Sequence, residues 1–247
     1  MIAQLRSELR KLTSTRTSAG LLAGLVALIL FGVIAGAFGS EADLSLAENQ
    51  RELVGNGSFA AVFAALVGVL AMTSEFRYGT IDATFVFTPA RERVVAAKAL
   101  AGLLAGTGFG ALGAGIALGA GVVMIRARGL DVLVGGADVR RVVLGGLVMS
   151  GLWAVLGVGL GALVRNQVAA IAGLFAWVFV VEILVFEQLP AVGRYAPGVA
   201  GTALTGDPVG DSSAHLLTPS IGGGLLAAYA AAFVLAGALA TRRRDLT

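Results

Sequence analysis

Residues 19–38 read Ala-Gly-Leu-Leu-Ala-Gly-Leu-Val-Ala-Leu-Ile-Leu-Phe-Gly-Val-Ile-Ala-Gly-Ala-Phe, twenty consecutive positions without a charge. At about 1.5 Å of rise per residue, a helix of this length covers the roughly 30 Å hydrocarbon core of a bilayer. A helix is required there, because lipid offers no partner to an unbonded backbone amide. The run is longer than the apolar core of a secretory signal. Ala35-Gly36-Ala37 nevertheless has the small residues of a cleavage site, so removal of this segment is the lesser alternative. Comparable runs recur at about 57–73, 94–125, 142–164, 168–186 and 221–240. The pattern predicts an all-α membrane protein of six transmembrane helices, built as a single domain over 1–247.

Composition agrees. The chain is 57% hydrophobic and 13% charged, with a mean hydropathy of +0.89, whereas soluble domains are about 45–50% apolar and about 25% charged. No polar stretch is long enough for a separate soluble domain. Ahead of the first run, Ile2, Leu5, Leu9 and Leu12 recur at helical spacing, with Arg6, Glu8, Arg10 and Lys11 on the remaining arc. That spacing predicts an amphipathic interfacial helix over 1–17, lying flat where leucines sink below anionic headgroups. The alternative is a charged flank that only orients the first span.

Orientation follows the distribution of cations. With both termini cytoplasmic, the inner segments hold 12 of the 18 lysines and arginines, including Arg242-Arg243-Arg244, and the outer segments hold six. The outer loop with Arg126, Arg128, Arg140 and Arg141 runs against the rule, and the sequence supplies no reason for it. Four of the five prolines, Pro190, Pro197, Pro208 and Pro219, fall in the connection between the last two spans. A segment that long is expected to fold locally as short interfacial or re-entrant helices.

Several patterns resemble chemistry without its context. Cysteine is absent, which removes disulfides and thiolate sites. Gly108, Gly110 and Gly113 spell G-x-G-x-x-G in the middle of an apolar run, where no strand precedes them. Close helix packing explains them better, since Gly102, Gly106 and Gly110 recur every fourth residue, as do Gly115 with Gly119, Gly157 with Gly161, and Gly32 with Gly36. His215 is the single histidine and has no second imidazole with which to share a metal. Glu182 is the one ionisable group inside its apolar run. A carboxylate at membrane depth marks a substrate path or outer gate, or else snorkels to the nearby interface in a structural role.

The most polar interior stretch lies between the second and third runs. Glu75-Phe76-Arg77-Tyr78-Gly79-Thr80 alternates charged and aromatic groups, and Gly79 permits a sharp turn. Thr88-Pro89 is a helix start, with threonine as cap and proline at the first helical position. From there a helix continues through Arg91, Arg93 and Lys98 into the third span. On these residues alone, a flank that merely sets topology remains open.

These segments, with Gly159-Leu160-Gly161-Ala162-Leu163-Val164-Arg165-Asn166-Gln167-Val168-Ala169-Ala170 and Val180-Val181-Glu182, resemble the permeases of ABC-2 type exporters over almost the whole chain. The resemblance implies a non-catalytic transport subunit of a bacterial cell membrane. Its partners would be the bilayer, a second permease copy or paralogue, and a separate ATP-binding subunit; no nucleic acid is implied. Glu75, Phe76, Arg77, Gly79 and Thr80 would form or flank the element coupling to the ATPase. Thr88, Pro89, Arg91 and Lys98 would fix the helix that transmits motion. No cofactor is expected on this chain, because it has no G-x-x-x-x-G-K-[ST] loop; ATP and Mg would belong to the partner. The competing function is an ion-driven secondary transporter or channel, which normally places ionisable groups or broken helices at the bilayer midplane.

Overall fold

The computed structural model describes residues 2–39, 43–81, 91–206 and 217–243. Helix α1 (Ile2–Ser14) is separated by one residue from α2 (Arg16–Phe38). Thr15 makes that break by capping α2, its Oγ1 accepting from the Ser18 amide at 3.3 Å. Helix α3 (Ala47–Gly55) passes through a 3-10 turn (Asn56–Phe59) into α4 (Ala60–Arg77). The two longest helices follow, α5 (Arg91–Ala127) and α6 (Gly136–Val164). Helix α7 (Gln167–Ala176) runs through a π turn (Trp177–Val181) into α8 (Glu182–Gln188). Two short helices, α9 (Pro190–Gly193) and α10 (Pro197–Thr205), precede α11 (Pro219–Arg243).

Six stretches are long and apolar enough to cross a bilayer: Arg16–Phe38, Ala47–Arg77, Glu92–Ala127, Val139–Val164, Gln167–Gln188 and Pro219–Arg242. The chain is therefore an all-α, multi-pass membrane protein, with no strand among the described residues. The stretch expected between the last two spans does contain short helices, α9 and α10.

Helix α6 lies at the centre against α4, α5 and α11. Its position depends on small residues, because lipid supplies no hydrophobic drive for helices to associate and close backbone approach must do so instead. A β-carbon on Gly106 of α5 would stand 2.5 Å from the Ser150 carbonyl, and one on Gly110 2.8 Å from that of Gly146. Gly157 of α6 meets the Ala65 backbone of α4 in the same way. Gly115 and Gly119 correct the sequence expectation, since nothing of the protein lies within 4 Å of where their β-carbons would be. The G-x-G-x-x-G glycines sit in mid-helix on α5.

Burial grades the spans, with α5 in the middle at 39%. In the most apolar window of each, α4 is 67% and α6 61% buried, against 22% for α2 and 17% for both α7–α8 and α11. The first pair is core. Helices α2, α7–α8 and α11 present apolar side chains such as Phe31, Phe179 and Leu235 outward.

The turn from α6 to α7 is two residues long. Arg165 takes the left-handed conformation (φ 57°) to end α6, its amide donating to the Gly161 carbonyl at 2.9 Å. Asn166 then caps α7, its Oδ1 accepting from the Ala169 amide at 2.9 Å.

Candidate functional site

Four charged side chains converge where α1, the end of α4 and the start of α5 meet. Lys98 of α5 is 1% exposed. Its Nζ donates to Glu8 Oε2 at 2.7 Å, to Glu75 Oε1 at 2.8 Å and to the Ala71 carbonyl at 3.0 Å. An ammonium has three N–H donors, so its hydrogen-bonding capacity is filled. Lys11, one turn beyond Glu8 on α1, donates to Glu8 Oε1 at 3.0 Å and Glu75 Oε1 at 2.8 Å. Among the described residues, Lys11 and Lys98 therefore both face Glu8 and Glu75. Burial of one charge without the others would cost several kcal/mol.

This arrangement corrects the reading of α1. Glu8, placed on the polar arc by spacing, is 5% exposed and turned into the bundle, while Arg6, Arg10 and Lys11 remain exposed. Burial disfavours the Lys11 ammonium, but hydrogen bonds and charge from Glu75 and Glu8 outweigh it and hold its pKa above the ordinary 10.5. Glu8 and Lys11 were absent from the predicted site. The signal for them was Lys98 itself, a cation inside an expected span, which requires a carboxylate partner at that depth.

Glu75, read as a coupling residue, is 5% exposed and faces Lys98. The surface at this end belongs instead to Arg77, Tyr78, Gly79 and Thr80. Gly79 has φ 66° and closes α4: its amide donates to the Phe76 carbonyl and the Thr80 amide to the Glu75 carbonyl, at 3.4 and 3.0 Å. Such a left-handed glycine satisfies carbonyls left open at a helix end. Ile81 then packs into a cluster with Met72, Val94 and Val95.

The two segments singled out by sequence meet at this end although some ninety residues separate them. Arg77 Nη1 donates to Gln167 Oε1 at 3.3 Å. The Arg165 guanidinium lies 5.2 Å from the centre of the Phe76 ring and donates to the Ala240 carbonyl of α11 at 3.2 Å. Thr88 and Pro89 lie outside the described residues, as does the side chain of Arg91, whose backbone begins α5.

At the opposite end Glu182 is 4% exposed. Its Oε1 accepts from the Trp177 indole and, at 3.0 Å, from the Gly198 amide; the Val199 amide also donates to the carboxylate. These amides open α10. Arg141 takes the other end of that helix, its Nη2 donating to the Ala203 carbonyl at 3.4 Å. A carboxylate at the N-terminus and a guanidinium at the C-terminus both oppose the helix dipole. This accounts for one arginine of the anomalous loop; a second, Arg128, lies 5.1 Å from the centre of the Phe38 ring. Gln50 fastens the same end, donating to the Leu44 and Asp131 carbonyls and accepting from the Leu133 amide at 2.7 Å. His215 lies outside the described residues, among which no group of three or more metal-ligating side chains occurs.

The geometry defines a helical multi-pass membrane protein with a cluster of ion-paired side chains at one end and a pinned short helix at the other. No protein-family model matches the chain, and no curated protein matches it.

Proposed function

We propose that the chain is the membrane-spanning permease subunit of an ATP-driven exporter of the ABC-2 type, seated in a bacterial cell membrane with both termini in the cytoplasm. It pairs with a second copy or a paralogue and takes its energy from a separate ATPase carrying ATP and Mg. One observation carries the reading: Glu8, Lys11, Glu75 and Lys98 bind α1, the exit of the second span and the entry of the third into one charged joint. A push on α1 or on the exposed turn Arg77–Thr80 then reaches α5, a helix of 37 residues continuous through the membrane layer. Because Glu75 is buried, its role is to hold the joint, while Arg77, Tyr78, Gly79 and Thr80 meet the partner.

The test is co-purification with a tagged candidate ATPase, followed by hydrolysis and transport in proteoliposomes. The isolated chain should hydrolyse no ATP. Arg77→Glu should lower coupled hydrolysis about tenfold while leaving the fold intact. Transport by the pure chain on an ion gradient, without nucleotide, would overturn the proposal.

A further inference from the structure

A cavity of about 580 Å³ lies between the outer parts of α4, α6, α7–α8 and α10. That is the size of site that encloses a drug-sized molecule. Its walls are largely apolar, with Phe59, Val62, Phe179 and Phe186 among them, and two carboxylates line it, the buried Glu182 and the exposed Glu187. Trp153, 3% exposed, also lines it, and its Nε1 has no hydrogen-bond partner.

Glu182 differs from the glutamates of the charged joint. There Lys11 and Lys98 meet both carboxylates, whereas among the described residues no lysine or arginine lies within salt-bridge distance of Glu182. Its three N–H donors leave one of about four carboxylate acceptor positions open. Capping α10 does not require a charge, since Asn, Ser or Thr accepts from the same amides at a smaller desolvation cost. What a carboxylate adds over those caps is attraction for a cation. One buried carboxylate among phenyl rings, with Glu187 left to solvent, is a poor site for a hydrated metal ion, but it suits an ammonium carried on an apolar body, which the rings also favour.

We propose that this cavity binds hydrophobic amines, the ammonium against Glu182 and the apolar body against Phe59, Phe179 and Phe186. As the substrate class of the exporter, this rests on the permease reading; binding itself does not.

The chain's two tryptophans, Trp153 and Trp177, flank the cavity or bond to Glu182, so their fluorescence reports on this site. The probe is dansylcadaverine, a primary amine whose dansyl group accepts energy from tryptophan; its uncharged comparison is the N-acetyl derivative. With the full chain in proteoliposomes, saturable transfer is expected for the amine and at least tenfold weaker binding for the acetylated form. Glu182→Gln should reduce the amine to the level of the neutral compound, Glu187→Gln should leave the difference in place, and Glu182→Asp should restore part of it. Val62→Phe should weaken both probes while leaving the charge in place. Equal affinity of the two probes for the unaltered chain, transfer that never saturates, or a charge preference surviving in Glu182→Gln would each overturn the proposal. Amine binding by a chain that captures no ATPase and transports on an ion gradient without nucleotide would leave this site standing and remove the permease reading. Coupled hydrolysis without amine binding would do the reverse.

Discussion

Lys98 is the residue on which the most depends, because it is the one fully buried member of the joint with every donor engaged. Lys98→Met takes the buried cation from between Glu8 and Glu75. Breaking a buried charge cluster on one side costs about 3–5 kcal/mol, whereas removing both signs together is far milder. Thermal unfolding in detergent should therefore show a large loss for Lys98→Met and substantial recovery in Lys98→Met combined with Glu75→Gln. Lys11 gives the joint a pH dependence. Its folded pKa is raised, so its contribution is fully present below the unfolded value near 10.5 and is lost as pH climbs through the folded value above it. The protection of α1 amides, relative to their intrinsic base-catalysed exchange, should fall above pH 10.5 in the natural chain, and Lys11→Met should remove that step.

Among the elements, α10 is the most exposed to single changes because it is only nine residues long and is held at its two ends. Arg141→Ala should raise amide exchange across Pro197–Thr205 without altering that of α4 or α6. Asn166→Ala removes the cap of α7 and should cost about 1 kcal/mol. These devices were legible to different degrees in the sequence. The apolar runs announced every span, since lipid demands an unbroken helix and leaves length as the decisive signal. The glycine spacing on α5 and α6 was also readable, but which glycines meet a neighbour was not: Gly106 and Gly110 do, Gly115 and Gly119 do not. Spacing reports the face of a helix and says nothing of what stands opposite. For the same reason Glu8 was assigned to the wrong side of α1, where periodicity sorted it with the arginines and the buried Lys98 claimed it. Glu182 was visible as an isolated carboxylate; its amide partners at Gly198 and Val199 were not, because they arrive from a separate helix.

At the scale of the molecule, the two ends of the bundle can be told apart by experiment. The absence of cysteine makes every introduced thiol unique. Tyr78→Cys (71% exposed in the native residue) and Leu46→Cys (54%) lie at opposite ends. An impermeant maleimide applied to intact cells should label Leu46→Cys and spare Tyr78→Cys; the reverse pattern would invert the topology and remove the turn Arg77–Thr80 from any cytoplasmic ATPase. The mooring of α1 has one more consequence. An amphipathic segment held only by headgroups drifts with the composition of the leaflet beneath it, but one tied by ion pairs to its own protein carries its anchorage along. Exchanging anionic phospholipid for zwitterionic should therefore leave α1 where it is, making this permease candidate indifferent to a variable that governs many surface-seeking helices.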